Sequence, residues 1–183
     1  MVGNMRIAPL LMGIILILVT IVGVIGYSGS NETEVPVIPC PTNPLEPDKC
    51  NAGMTLADLE VPTQFSILSI KISIDWSQSE STWVGVIPAT DATECPPDSQ
   101  GLTPCEADQL NFVAGGADSV GGDGLEWSVE PGKYRLATGS ISSEANPTAG
   151  NLVSYDYAVK LNWIISTITF LFGSTMLVAG IEF

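Results

Sequence analysis

The chain of 183 residues contains no histidine and little positive charge. Without an imidazole there is no Ser-His-Asp triad, no histidine general base and no histidine ligand for zinc, haem or copper. Six basic residues stand against 20 acidic ones, and the formal net charge is −14. Because proteins neutralise nucleic-acid phosphates with Lys and Arg, we expect no nucleic-acid partner. We also expect no cofactor and no enzymatic activity.

Charged residues are scarce as well, at 14% of the chain, and the mean hydropathy is positive, at +0.33. The apolar residues are therefore concentrated in part of the chain. Residues 7–26 carry no charge, and about 20 apolar residues are needed to cross a bilayer as a helix. We predict an uncleaved signal-anchor here, after a short cytoplasmic tail at 1–6. A cleaved signal peptide is the alternative, although its apolar region is usually shorter.

Residues 161–181 form a second uncharged stretch, followed only by residues 182–183. It predicts a second transmembrane helix, with Trp163 at the membrane interface. Small residues lie roughly on one face of this helix and favour close packing against the first helix or another subunit. These residues are Ser166, Thr169, Gly173 and Gly180, and the first helix offers Gly13, Thr20 and Gly23. The alternative is that the hydroxyls only bond back to their own helix.

The segment between the two stretches carries 19 of the 20 acidic residues, five of the six basic ones and all four cysteines. Cysteine pairs indicate an oxidising compartment, and Arg6 favours a cytoplasmic amino terminus. We therefore expect a two-pass protein of the cell membrane with its middle segment outside the cytoplasm. The bilayer is its first partner, and other membrane subunits or further copies of the chain are expected beside it.

Within this segment, residues 27–60 are rich in proline and predict an irregular stalk. Residues 61–160 alternate in polarity with a period of two, which predicts short strands. The expected fold is an all-β antiparallel sandwich of about six to eight strands between two transmembrane α-helices. Predicted strands run near residues 70–76, 82–87, 109–114, 125–129, 134–138 and 155–161. Trp76, Trp83, Trp127 and Tyr134 are the predicted core aromatics; a sugar-binding aromatic platform is the alternative.

Two further patterns concern the end of this domain. The sequence Glu130-Pro131-Gly132-Lys133 predicts a type II turn, so that residues 125–138 form a hairpin. The run Glu130-Pro131-Gly132-Lys133-Tyr134-Arg135-Leu136, followed by Tyr155-Asp156-Tyr157-Ala158-Val159, resembles the ending of GOLD-type and bacterial pre-peptidase C-terminal (PPC) sandwiches. The resemblance covers roughly residues 120–161. It implies a binding or secretion-associated module without catalytic residues.

The cysteines lie in two pairs, each ten residues apart. We predict the disulfides Cys40–Cys50 and Cys95–Cys105, one of three possible connectivities. A zinc site built from all four is the alternative, but structural zinc sites usually use closer pairs.

The glycine-rich stretch at 115–124 contains Asp118 and Asp123, which are weak candidates for a calcium site. The simpler interpretation is a flexible connection between strands. Carboxylate pairs such as Asp91 and Glu94 are interpreted as solvated surface charge.

The sequence as a whole favours a non-enzymatic, membrane-anchored protein whose sandwich engages a protein or ligand at the cell envelope. The alternative is an accessory or structural subunit of a larger membrane complex, whose partner subunits hold the catalytic cofactors.

Overall fold

The computed structural model describes residues 7–35, 40, 45, 50–122, 124–141 and 151–181. It is a mostly β, antiparallel two-sheet fold flanked by apolar helices near the two ends of the chain. The helices are α1 (Ile7–Ile25), α2 (Asp91–Glu94) and α3 (Trp163–Ile181). The strands are β1 (Tyr27–Val35), β2 (Asn51–Met54), β3 (Leu59–Val61), β4 (Leu68–Trp76), β5 (Thr82–Pro88), β6 (Leu102–Glu106), β7 (Ala114–Gly115), β8 (Leu125–Val129), β9 (Gly132–Ser140) and β10 (Asn151–Leu161).

The chain forms two compact units, which are described separately. The helical unit comprises Met1–Ser28, Ser66–Ile70 and Ala158–Phe183, and the β unit comprises Gly29–Phe65 and Lys71–Tyr157. A four-stranded sheet has the order β1-β10-β4-β8, and a six-stranded sheet has the order β6-β2-β9-β5-β7, with β3 also paired to β9.

In the helical unit, α1 and α3 pack against each other as an antiparallel pair. A Cβ atom added to Gly13 would lie 2.8 Å from the carbonyl oxygen of Gly173, and one added to Gly180 would lie 3.0 Å from Leu10. At the other end of the pair, a Cβ on Gly23 would meet Leu161 at 2.9 Å. Both helices are 19 residues long and apolar enough to cross a membrane.

The two sheets share a buried core in the β unit, as in a β-sandwich. Trp76 and Trp127 come from the four-stranded sheet, and Val84 and Val86 come from β5 of the other sheet. Alternate residues of β5 point to the opposite side, where Trp83 and other side chains form a second cluster. This outer cluster contains Ala52, Met54, Trp83, Ile87, Cys95, Cys105, Leu110 and Ala137. Because β5 is covered on both faces, Thr82–Ile87 is buried without interruption.

Three sequence-based expectations about the β unit are wrong. The expected hairpin at residues 125–138 does not form, because β8 and β9 belong to different sheets and the connection between them leads from one sheet to the other. Gly132 does not have the positive φ that a type II turn requires at that position. The expected strand at 109–114 is reduced to β7, because Leu110 and Phe112 pack onto the outer cluster instead.

The predicted stalk at 27–60 also differs from the structure, because its described residues include β1, β2 and β3. These strands lack strong alternation. β1 lies at the edge of its sheet with a mostly polar sequence, and β2 is short and built from Asn51-Ala52-Gly53-Met54. Much of the proline-rich sequence between β1 and β2, and the predicted cytoplasmic ends at 1–6 and 182–183, lie outside the described residues.

Candidate functional site

A groove of about 600 Å³ opens over the outer cluster of the β unit. Its floor combines an aromatic pair with backbone from the glycine-rich segment, and three carboxylates stand among its lining residues. We call this the outer groove. It is lined by Cys50, Trp83, Glu106, Ala107, Asp108, Leu110, Phe112, Gly115, Gly116, Ala117, Asp118, Ser140 and Ile141.

The aromatic floor depends on glycines that leave room for the rings. Trp83 and Phe112 pack edge to face, with ring centroids 5.4 Å apart and an interplanar angle of 84°. A Cβ on Gly139 would lie 2.5 Å from the Trp83 ring, and one on Gly85 would lie 2.5 Å from the Phe112 ring. Gly116, with φ of +112°, faces the other side of Phe112. The two rings are therefore enclosed by backbone, and Phe112 remains half-buried.

The carboxylates give the outer groove a negative charge. Asp108 and Asp118 are exposed, and Glu106 is half-buried, where its side chain and that of Gln109 cap a short 3₁₀ helix. None of the described lining residues is basic. The groove therefore presents an apolar floor and an acidic rim, which is complementary to a cation that carries apolar groups.

A buried carboxylate fixes the loop that carries Phe112. Asp91 is 6% exposed, and its Oδ2 accepts a hydrogen bond from the backbone N–H of Asn111 at 2.7 Å. The Asn111 side-chain amide also lies 3.4 Å from this carboxylate. Sequence reasoning placed Asp91 with Glu94 among solvated surface charges. No local pattern marks it, because its partner lies 20 residues away.

The glycine-rich segment is a structured part of the groove. Gly115 pairs with Gly85 of β5, and Gly116 N–H donates to the Val84 carbonyl oxygen at 3.0 Å. The Ser119 hydroxyl lies 3.0 Å from the same oxygen. The segment is therefore more than a flexible connection.

Of the two calcium candidates, Asp118 lines the outer groove, whereas Asp123 lies outside the described residues. In the described part of the chain, no group of three or more His, Cys, Asp or Glu side chains is placed to hold a metal ion.

The disulfides are Cys40–Cys50 and Cys95–Cys105, the connectivity that the spacing predicts. The second bridge is buried in the outer cluster, with Cys95 and Cys105 at 3% and 8% exposure. It ties the segment after α2 to β6, so the groove wall formed by residues 106–110 starts from a fixed point.

The predicted core aromatics are divided between the two faces of the six-stranded sheet. Trp76, Trp127 and Tyr134 lie in or against the core between the sheets, whereas Trp83 lies in the outer cluster. Trp83 is buried like the other two tryptophans, but it occupies an odd-numbered position of β5 and so lies on the opposite face of that sheet. All three indoles are buried, so none presents the open ring face of a sugar platform.

The small-residue face of α3 lies against α1. Ser166, Gly173 and Gly180 are buried, and Thr169 is half-buried. The hydroxyl of Thr169 donates to its own helix, at the Ile165 carbonyl oxygen, whereas Ser166 Oγ has no hydrogen-bond partner within the described residues. The stripe thus contacts the first helix, one of the two partners considered from the sequence.

No family model matches the chain, and no curated protein matches it. Among solved structures, it is similar to Aeromonas hydrophila PliG, a periplasmic lysozyme inhibitor of g-type lysozyme, with a TM-score of 0.30 and 8% identity. The alignment covers 75% of this chain and 88% of that one.

Proposed function

We propose that the protein is a two-pass membrane protein whose β unit lies outside the cytoplasm and acts by binding a partner. One observation carries the membrane part of this proposal. The helices α1 and α3 turn their small residues toward each other, while their large apolar side chains remain exposed along both helices. Such a surface is unfavourable in water and natural in a bilayer.

The disulfides support a location of the β unit outside the cytoplasm. Structural disulfides persist in oxidising compartments, and both bridges belong to the β unit. A membrane crossing on each side of that unit leaves both chain ends on the cytoplasmic side, in agreement with the positive charge of Arg6.

The outer groove supports binding as the activity of the β unit. Its acidic rim and its apolar floor, where Phe112 is the more accessible of the two rings, suit a basic protein segment that carries an apolar side chain. We propose such a segment of a partner protein as the occupant.

The topology is tested with the four native cysteines. Intact cells, with any outer membrane made permeable, are treated with an impermeant reductant and an impermeant maleimide, and the labels per chain are counted by mass spectrometry. We expect labelling of the native cysteines without permeabilising the inner membrane. The variant Glu182→Cys adds a cytoplasmic control, which should react only after permeabilisation. Labelling of the native cysteines only after permeabilisation would overturn the proposal. A mature chain lacking residues 7–26 would establish the signal-peptide alternative.

Binding is tested with the full chain in lipid nanodiscs. The probe is a fluorescent peptide of alternating lysine and leucine, and its counterpart has glutamate in place of lysine. We expect salt-sensitive binding of the lysine peptide alone, weakened several-fold by combining Asp108→Asn with Asp118→Asn. The matched control combines Asp75→Asn with Glu126→Gln, which removes two exposed charges from the other sheet. Equal weakening by both pairs would reduce the effect to general attraction and contradict a site in the groove.

The accessory-subunit alternative stays a prediction. The small-residue stripe of α3 supports this alternative less, because it contacts α1 and so is occupied within the chain itself. Native mass spectrometry after detergent extraction separates the two ideas. A stoichiometric complex with larger integral subunits would favour the alternative, and a monomer or homo-oligomer would exclude it.

A further inference from the structure

A second groove, of about 520 Å³, lies within the helical unit. It is formed by the last two turns of α1, the end of β10 and Leu68, and its lining is almost wholly apolar. We call it the helical groove. It is lined by Leu18, Val19, Val22, Gly23, Gly26, Tyr27, Leu68, Val159, Lys160 and Leu161.

The helical groove opens to the surface that faces lipid under the proposed topology. Leu18, Val19 and Val22 line it and are at least half exposed. An acyl chain can therefore enter from the side without passing through the protein. A cavity of this size is within the range that holds a small ligand.

The apolar surface of the helical unit includes a basic side chain, that of Lys160. Among the described residues of the helical unit, Lys160 is the only charged side chain of either sign. It is exposed and lines the groove. A lone ammonium group beside an apolar groove is complementary to an amphiphile with a negative head and an apolar tail.

Gly26 leaves room for the lysine side chain. Its φ is +76°, and a Cβ at this position would lie 2.7 Å from Lys160 Cγ and 2.5 Å from the Val159 carbonyl oxygen. The absence of a side chain lets the Lys160 stem lie directly on the backbone that follows α1.

The aromatic residues place this end of the unit at headgroup depth. Tyr27 follows α1 and is 67% exposed, and Trp163 begins α3 and is 74% exposed. Because the helices are antiparallel, both aromatic residues and Lys160 lie at the same end of the pair. Tyr and Trp are enriched where a membrane protein meets the headgroups.

We propose that the helical groove binds one phospholipid of the outer leaflet, with an acyl chain in the groove and the phosphate paired with Lys160. This inference rests on the membrane location proposed above. The occupant is a phospholipid because the site combines a single positive charge with an extended apolar surface at headgroup depth.

The test uses the full chain in nanodiscs made from equal parts of phosphatidylglycerol and galactosyldiacylglycerol with the same acyl chains. The second lipid is uncharged and has no phosphate. The protein is then released into mild detergent, and the lipids that remain bound are identified by native mass spectrometry. We expect one retained lipid, with phosphatidylglycerol enriched about fivefold over the sugar lipid, the factor expected for one lysine near an anionic headgroup.

Two pairs of variants separate charge from shape. Lys160→Gln should abolish the enrichment, whereas Lys71→Gln, which removes an exposed cation of the β unit, should leave it unchanged. Val22→Trp should fill the groove and abolish lipid retention, whereas Val24→Trp changes an exposed residue of α1 that does not line it.

The outcomes distinguish this proposal from the one it rests on. A wild-type chain that enters nanodiscs but retains both lipids equally would overturn the phospholipid site alone. A chain that does not enter nanodiscs would overturn the membrane location together with the site.

Discussion

Tyr134 lies near the start of β9, and its hydroxyl donates a hydrogen bond to the carbonyl oxygen of Glu130, 3.0 Å away, the first residue after β8. The ring packs edge to face on Trp127 of the opposite sheet, with centroids 4.8 Å apart. A Cβ on Gly132 would lie 2.9 Å from the hydroxyl oxygen, so the glycine leaves room for it. The tyrosine thus closes the connection that carries the chain from one sheet to the other.

We expect Tyr134→Phe to lower the free energy of unfolding by about 0.5–1 kcal/mol, because it removes one partly exposed hydrogen bond and keeps the ring. Denaturant unfolding in detergent, followed by tryptophan fluorescence, measures the change. Tyr155→Phe removes a hydroxyl from another tyrosine that packs against the same core, and it should have a smaller effect. Equal effects would mean that the bond to Glu130 does not hold the connection.

The same tyrosine makes stability depend on alkaline pH. Burial, with a further contribution from the charge of Glu130, raises the pKa of Tyr134 above its ordinary value of 10.0. The unfolded chain therefore loses this proton first, and the stabilisation that is complete below pH 10.0 is lost as pH rises through the raised pKa. Denaturant unfolding between about pH 9 and 11.5 should show a steeper loss of stability in the wild type than in Tyr134→Phe.

Tyr134→Phe should still lose part of its stability at alkaline pH. The hydrogen bond and charge of Glu60 raise the pKa of Lys133 above 10.5, so its deprotonation destabilises the folded chain in the same direction. Adding Lys133→Gln should flatten the profile further. An identical slope in the wild type and Tyr134→Phe would contradict the assignment to the tyrosine.

The loop that carries Phe112 should depend on Asp91. Asp91→Ala leaves the Asn111 N–H without its acceptor and should cost about 1.5–3 kcal/mol of unfolding free energy. Hydrogen exchange should rise in residues 110–116, because the loop loses its fixed point. Glu94→Gln changes the exposed carboxylate at the other end of α2 and serves as the control. Unchanged exchange in the loop of Asp91→Ala would show that the outer groove does not need this anchor.

The strands with strong alternation were predictable, and those set by tertiary context were not. Ile70, Ile72, Ile74 and Trp76 alternate with polar residues along β4, and the structure places Ile72, Ile74 and Trp76 in or against the core. β1 carries no such signal because it is a polar edge strand. Propensity is a weak guide for a strand whose partners, rather than its own side chains, hold it in the sheet.

The hairpin at 125–138 failed for a different reason. Two alternating strands joined by Glu130-Pro131 look the same whether they pair with each other or face each other across a core. The contact of Trp127 with Tyr134 is a packing contact between sheets, and local sequence does not distinguish it from a cross-strand pair. The orientation of Trp83 was not predictable either, because β5 is buried on both faces and has no polar side that would show which residues face the core.

The outer groove was only partly visible in the sequence. The sequence singled out the glycine-rich segment and Asp118 as a candidate site. The groove also depends on Trp83 and on Gly85 and Gly139, which leave room for its rings and lie on strands distant in sequence. The disulfide pairing was accessible because the two ten-residue loops are local. The resemblance to GOLD-type and PPC modules stays a prediction.

The Cys95–Cys105 disulfide should matter more for the outer cluster than Cys40–Cys50, because only Cys95 and Cys105 belong to that cluster. Replacing Cys95 and Cys105 together by Ala should lower the free energy of unfolding by about 2–3 kcal/mol through the entropy of the unfolded chain. It should also weaken the near-ultraviolet circular dichroism of Trp83 and Phe112, because both cysteines pack in their cluster. The matched variant replaces Cys40 and Cys50, with a loop of the same separation of ten residues. If this matched variant loses the aromatic signal equally, the outer cluster is not organised by the Cys95–Cys105 bridge.

The helix pair should fail if its closest approach is filled. Gly13→Leu inserts a side chain where a Cβ alone would lie 2.8 Å from the Gly173 carbonyl oxygen and 2.9 Å from Leu177. Backbone cannot move aside as a flexible side chain can, so we expect a loss of about 1–3 kcal/mol or separation of the helices. Ala8→Leu adds bulk to an exposed position of the same helix and should be tolerated. Resistance to unfolding in sodium dodecyl sulfate, followed by circular dichroism, compares the two variants. If they resist equally, the small residues at 13 and 173 do not form the contact, and the stripe on α3 becomes available to another subunit.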